Sequence, residues 1–288
     1  MSSRLGGRRT RRALSVLAPV LGIGIAVPIA LTGQAGAAEP TATAEVNEYG
    51  WHLTYKAAAG QANEVAVSQT YTDDRAKFRY VIDDSVPVEA GNGCTHPDSA
   101  DKTKISCTVE APESQSPLNS MEMDLGDGDD TVAFDNATDQ VFYFNDVELG
   151  DGEDHWTSDP DREVDGSHVR GGAGEDTLKV GAYALAGGGD DNDVLYADGG
   201  DEIVDGGAGD DELHGGAGVQ ILRADDGDDT VEGGAGEDEM YGGKGDDELR
   251  GDEGDDRMWG NSGDDKLYGG PGTDEISGGP GSNVIVQD

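Results

Sequence analysis

Gly206-Gly207-Ala208-Gly209-Asp210-Asp211-Glu212-Leu213-His214 is one complete copy of a nine-residue unit that recurs eleven times, without a gap, from Gly188 to Val286. Each copy opens on a glycine-rich turn, carries an acidic or polar sixth residue and ends on a triplet with an apolar centre. That centre is Leu195, Val204, Leu213, Leu222, Val231, Met240, Leu249, Met258, Leu267, Ile276 and Ile285. A fixed period of this kind means stacked coils, each buried by its neighbours, rather than one globular core. A disordered acidic tract has a similar composition. It would not keep an apolar residue in register through eleven units.

Within a unit, glycines at positions one, two and four permit positive φ and leave no Cβ against a neighbouring backbone. A turn that open directs several carbonyl oxygens at one place. Position six adds a carboxylate, as Asp193, Asp211, Asp229, Asp238, Asp247, Asp256, Asp265 and Asp274. Calcium, a hard cation that takes roughly six to eight oxygen ligands, requires this mixture of carbonyl and carboxylate. The turn glycines assigned with the acids are Gly207, Gly209, Gly227, Gly234, Gly236, Gly243, Gly245, Gly254 and Gly263. Positions seven to nine alternate like a short strand with one inward side chain.

These residues resemble the repeats-in-toxin (RTX) nonapeptide GGxGxDxUx of hemolysin-type calcium-binding proteins, a secreted bacterial group. The resemblance implies an all-β fold, a parallel β-roll or β-solenoid in which two units make one coil and calcium lies between successive turns. Turns on one side are then 18 residues apart. Side-chain pairing in the sequence supports that spacing. At position seven Glu239, Arg257 and Glu275 alternate in sign, and Glu248 faces Lys266; at position nine Glu232 meets Arg250 and Tyr241 meets Trp259. Opposite charges and aromatic pairs are the favoured neighbours on adjacent strands. Nine-residue stacking would instead set Glu239 beside Glu248.

One row of sixth positions then reads Asp193, Asp211, Asp229, Asp247, Asp265 and Asn283; the other reads Glu202, Gln220, Asp238, Asp256 and Asp274. Aspartates adjoin at 193/211, 211/229, 229/247, 247/265, 238/256 and 256/274, so about six calcium ions are expected, within a range of four to eight. Asp176, in the good copy Gly171–Leu178, joins the ligand set.

The chain has 61 acids against 19 bases, a net charge of −42. Nucleic acid is excluded as a partner by that sign. Arg8–Arg12, the apolar stretch Ser15–Leu31 and Ala35-Gly36-Ala37 fit a signal peptide spanning 1–37, which implies an extracellular protein. Its removal takes five arginines and shifts the charge to −47. General secretion fits better than twin-arginine export, because a roll that needs calcium gains little by folding first where calcium is low. Cys94 and Cys107 are an even pair in an exported chain, expected as a structural disulfide.

Domain organisation follows the change of texture. Residues 38–120 are expected as a β-rich cap, 121–187 as irregular coils and 188–288 as the regular roll. Val65–Val67, Phe78–Ile82 and Val141–Phe144 read as strands, and Gly60–Val65 resembles a first coil. Gly126–Val132 and Gly150–Trp156 are degenerate nonapeptides, 24 residues apart.

Catalysis is not expected. The histidines are His52, His96, His155, His168 and His214, none paired at i, i+4 in HExxH, and no GxSxG elbow occurs. Asp154-His155-Trp156 with Asp161, Arg162 and His168 is the strongest catalytic candidate, and surface residues beside a degenerate turn explain it better. The alternative reading is a calcium-dependent polysaccharide-modifying enzyme or a lectin with a solenoid groove. No second apolar segment is present to insert in a membrane. The apolar run Val284-Ile285-Val286 marks the C-terminal edge as a contact surface for another copy or a cell-surface component.

Overall fold

Apolar and polar residues alternate through most of the chain, and burial follows the alternation. In Lys77–Asp83 the buried side chains are Phe78, Tyr80 and Ile82; in Ala42–Val46 they are Ala42, Ala44 and Val46. The computed structural model describes residues 41–111, 118–138, 140, 143–162 and 164–287. The expected signal peptide, and Val141 and Phe142 of one expected strand, lie outside the described residues.

Among the described residues the strands build two sheets, of 12 and 13 strands, and no helix occurs. Successive strands of the coils alternate between the sheets and pair in parallel with the equivalent strand of the next coil. This is a parallel β-solenoid. Its first coil is made by Leu53–Lys56 and Glu64–Tyr71, joined by the Gly60–Asn63 turn; Leu53 pairs with Met121 and Val65 with Val132.

Strands before and after this coil build the cap. Lys77–Asp83 adds antiparallel to Glu64–Tyr71, Lys104–Glu110 adds antiparallel to that, and Ala42–Val46 adds antiparallel to Leu53–Lys56. A disulfide joins the register partners Cys94 and Cys107. Tyr80 carries a buried polar link to the coils: its hydroxyl donates to Asn145 Oδ1 at 2.8 Å, and Asn145 Nδ2 donates to Gln69 Oε1 at 3.0 Å. Buried polar groups need such partners.

The coils narrow toward the C-terminus. Equivalent turns on one side are 24, 22 and 17 residues apart, then settle at 18. Interior side chains shrink with them. The largest fully buried residues, Trp156, Tyr55, Tyr80, Phe78 and Phe134, all lie in the cap and wide coils, where Phe134 stacks on Trp156 at 5.3 Å. In the narrow coils Leu213, Val231, Leu249 and Leu267 on one sheet, with Leu222, Met240 and Met258 on the other, fill the space. Each such side chain contributes about 1.5–3 kcal/mol by burial. On the last strand, Val284–Val286, Ile285 is exposed together with both flanking valines.

The outward rows match the pairing expected from charge. Glu239 pairs with Arg257 and Arg257 with Glu275, Glu248 with Lys266, and Glu232 with Arg250. Tyr241 stacks on Trp259 at 4.8 Å. The charged partners are mostly exposed, so each pair is worth about 0–1 kcal/mol; their main effect is on register.

Candidate metal site

Where the chain crosses from the first sheet to the second, the sixth residue of the unit turns inward. Asp193, Asp211, Asp229, Asp247 and Asp265 are all buried there, at most 2 % exposed. Each carboxylate spends one oxygen on the backbone. Asp193 N–H donates to Asp211 Oδ1 at 2.8 Å, Asp211 N–H to Asp229 Oδ1 at 2.7 Å, and Asp229 N–H to Asp247 Oδ1 at 3.1 Å. The other oxygen, Oδ2, has no hydrogen-bond partner on any of the five. A buried, unpaired carboxylate oxygen is costly.

The opposite turns, which feed the first sheet, repeat this only in part. Asp238 and Asp256 are buried with unpartnered Oδ2 atoms, and Asp238 N–H donates to Asp256 Oδ1 at 2.9 Å. Asp274 closes that row, accepting from Asp256 N–H at 3.1 Å. Upstream, Gln220 Nε2 donates to Glu202 Oε2 at 3.3 Å, so an amide replaces a second carboxylate. Further back the row is uncharged, with Ala184 and Ser167 buried in the preceding coils.

The turns themselves supply carbonyl oxygens. At Gly233, an added Cβ would lie 2.9 Å from Asp238 Oδ2 and 2.8 Å from the Gly251 carbonyl of the next coil. Carboxylate and carbonyl oxygens thus converge on the space that a side chain would take. At position four the stacking is tighter still. Gly245 has φ +127°, and a Cβ there would overlap the Gly227 carbonyl oxygen. Where glycine is missing, at position four in Asp191 and at position two in Asp225, Asp252 and Asn261, the replacing residue takes positive φ, as Asp and Asn do more readily than other side chains.

Burial sets the charge state. Loss of water pushes Asp176, Asp193, Asp211 and Asp247 up to about 7, and Asp229 and Asp238 up to about 6; hydrogen bonds from the backbone oppose this, and neighbouring acids add to it. Among the described residues no three His, Cys, Asp or Glu side chains gather as a metal cluster. A cation here must take backbone oxygens as well. The donor set therefore fits a hard, oxygen-seeking ion such as calcium.

This arrangement, unsatisfied carboxylate oxygens stacked between glycine turns of a parallel solenoid, defines a calcium-binding β-roll. The family model of the RTX calcium-binding nonapeptide repeat (4 copies) matches residues 188–213, 214–249 and 250–285. Residues 188–285 are therefore RTX calcium-binding nonapeptide repeats. No curated protein matches it.

The structure does not assemble the catalytic candidate. Asp154 and Trp156 point inward while His155 points out on the second sheet. His168 sits on the first sheet, stacked on Phe144 at 4.3 Å, and burial lowers its pKa. Arg162 pairs with Asp135 at 2.6 Å. Asn136 and Thr138 of the sequon-like Asn136-Ala137-Thr138 are buried, and Asn136 Nδ2 donates to the Asp165 carbonyl at 2.8 Å.

Two acids of the degenerate nonapeptides were missing from the expected ligand set. Asp130 and Asp154 are fully buried and continue the row that passes through Asp176. Their signal is the Gly-Asp-Gly turn of each degenerate unit, with an acid at the sixth position.

These pKa shifts give a first expected result. A carboxyl raised in the folded state favours folding below its unfolded value, near 4, and that contribution is lost as pH rises through about 6–7. In EDTA the chain should therefore hold more β-structure at pH 5 than at pH 7.5. Circular dichroism at the two values checks it. Equal spectra, or less structure at pH 5, would contradict the protonation account.

Proposed function

We propose that this is a secreted, non-enzymatic calcium-binding protein whose roll folds as its sites fill. The observation that carries the reading is the column of buried Oδ2 atoms without partners, which need a positive charge to face. The residues proposed to hold calcium are the position-six acids Asp176, Asp193, Asp211, Asp229, Asp238, Asp247, Asp256, Asp265 and Asp274, with carbonyl oxygens of the glycine turns. About six ions occupy the regular roll. Calcium, when bound, supplies the positive charge that lets like-charged rungs stand next to one another.

The proposed division is a signal peptide at 1–37, a disulfide-closed β-rich cap to 120, irregular coils to 187 and the regular roll beyond. Export is supported by the basic and apolar N-terminal sequence and by the pair Cys94 and Cys107. Separation of His155 from His168 onto different sheets favours binding over catalysis. The exposed Val284, Ile285 and Val286 are proposed as a contact surface for a second copy or a cell-surface component.

Stoichiometry tests the site assignment. Asp229 adjoins Asp211 on one side and Asp247 on the other, so Asp229→Ala should lower the number of bound calcium ions by two. Gln220 stands where the other row lacks a charge, so Gln220→Asp should raise it. Titration calorimetry reads both numbers. A wild-type count in both variants would remove the assignment of ligands shared between coils.

A further inference from the structure

The acid row on the second-sheet side does not stop where the regular repeat stops. Asp176 N–H donates to Asp193 Oδ1 at 2.8 Å, Asp154 N–H to Asp176 Oδ1 at 2.8 Å, and Asp130 N–H to Asp154 Oδ1 at 2.7 Å. Asn63 N–H, in the first coil, donates to Asp130 Oδ1 at 2.6 Å and ends the row. This hydrogen bond is the same at every rung, although the coils between rungs differ in length. Three of the rungs lie before residue 188, outside the matched repeats.

Each of these three acids also repeats the unsatisfied half of the pattern. Asp130 and Asp154 are 0 % exposed and Asp176 is 1 % exposed, and the Oδ2 of each lacks a hydrogen-bond partner. The turns that carry them stack like those of the roll. Gly150 and Gly172 have φ of +119° and +126°, and an added Cβ on either would overlap the carbonyl oxygen of the equivalent glycine one coil earlier, Gly126 and Gly150. Carbonyl stacking and an orphaned carboxylate oxygen thus occur together, as they do between Asp211 and Asp247. One difference sets the wide coils apart: Leu125 and Leu149 occupy the position that is glycine in the complete repeat, and both side chains are buried in the core.

We infer that the wide coils bind calcium too, at two further sites between the turns of Asp130 and Asp154 and between those of Asp154 and Asp176. The inference rests on the calcium reading of the roll and extends it to residues that lack the nonapeptide spacing. Calcium occupancy then reaches the coil beside the cap, one rung from Asn63. The far end of that rung is tied to the cap, because Asn63 Nδ2 donates to Asp84 Oδ2 at 2.9 Å and Tyr55 hydrogen-bonds the same carboxylate.

Asp154 is shared by both sites, so Asp154→Asn is the informative change. The amide keeps the volume and the oxygen that accepts from Asp130 N–H, but removes the charge. Native mass spectrometry of the mature protein in calcium should show two ions fewer for Asp154→Asn than for wild type, and Asp130→Asn one fewer. Hydrogen exchange supplies a second readout: calcium should protect the strand Thr131–Asn136 in wild type and lose that protection in Asp154→Asn. Asp229→Asn, inside the roll, is the control. Loss of ions in Asp229→Asn with a wild-type count in Asp154→Asn overturns the wide-coil sites and leaves the roll reading standing. Wild-type counts in both variants overturn the roll reading as well.

Discussion

Transfer of the calcium-loaded protein into EDTA at pH 7.5 is expected to remove most of the β-structure of residues 188–286, and millimolar calcium is expected to restore it. Neighbouring sixth-position acids carry like charges, and two carboxylates about 5 Å apart repel by roughly 3 kcal/mol at an effective dielectric near 20. Several such pairs outweigh the net stability of an ordinary domain, on the order of 5–15 kcal/mol. Calcium at ten times its dissociation constant returns about 1.4 kcal/mol per site, roughly 8 kcal/mol over six sites. Binding and folding of the roll are then one event.

The cap should behave differently. Its interior holds Phe78, Tyr80 and Ile82, Cys94–Cys107 ties its edge strand Cys94–Thr95 to Lys104–Glu110, and its strands pair mostly antiparallel, without stacked acid turns. A residual β-signal from residues 41–111 should survive chelation. Extracellular calcium modules work near 10⁻⁴–10⁻³ M, roughly, which sets the range of the titration. Magnesium should restore little, because it needs near-octahedral geometry and gives up water reluctantly. Circular dichroism across an EDTA and calcium titration decides the matter. A spectrum unchanged by chelation would sink the coupled-folding account.

Much of this architecture was legible because the coil repeats its chemistry as well as its length. The resemblance implied the 18-residue spacing, the alternating charges of Glu239, Arg257 and Glu275 supported it, and the apolar eighth position marked the inward face. Asp130 and Asp154 stand in turns legible as degenerate nonapeptides, yet they were not assigned as ligands, for a physical reason. Wider coils hold Trp156 and Phe134, so the spacing between rungs grows to 22 and 24 residues and the nine-residue count fails. The hydrogen bond from one rung to the next is local to the turn and survives that change. Sequence also could not show where pairing turns antiparallel. Lys77–Asp83 and Glu64–Tyr71 alternate alike, and only the hairpin between them sets their direction. His155, Asp161 and His168 are close in sequence, yet strand alternation and the change of sheet part them.

The second large effect concerns backbone rather than charge. Gly245→Ala should disrupt the calcium-loaded roll, whereas Gly187→Ala should leave it intact. At Gly245 the backbone has φ +127°, a region that is essentially glycine's alone and costs about 1–3 kcal/mol for other residues. Its missing Cβ faces the Gly227 carbonyl oxygen, and Gly263 stands against Gly245 in the same way one coil later. A methyl group would have to push two coils apart, and overpacking of this kind costs a further 1–3 kcal/mol or so. Shift of a coil would also move the carbonyl oxygens that the neighbouring acids, Asp229 and Asp247, are proposed to share. At Gly187, by contrast, φ is not positive and a Cβ meets nothing within 4 Å. Alanine there should be neutral or stabilising by about 0.4–1 kcal/mol, since it restricts the unfolded chain. In saturating calcium, Gly245→Ala should therefore melt on the order of 10 °C below wild type, taking about 2–4 °C per kcal/mol for a domain of this size, and should need more calcium to fold. If both variants melt with wild type, close carbonyl stacking is not what demands glycine at the fourth position, and the turns have room that the coil spacing denies them.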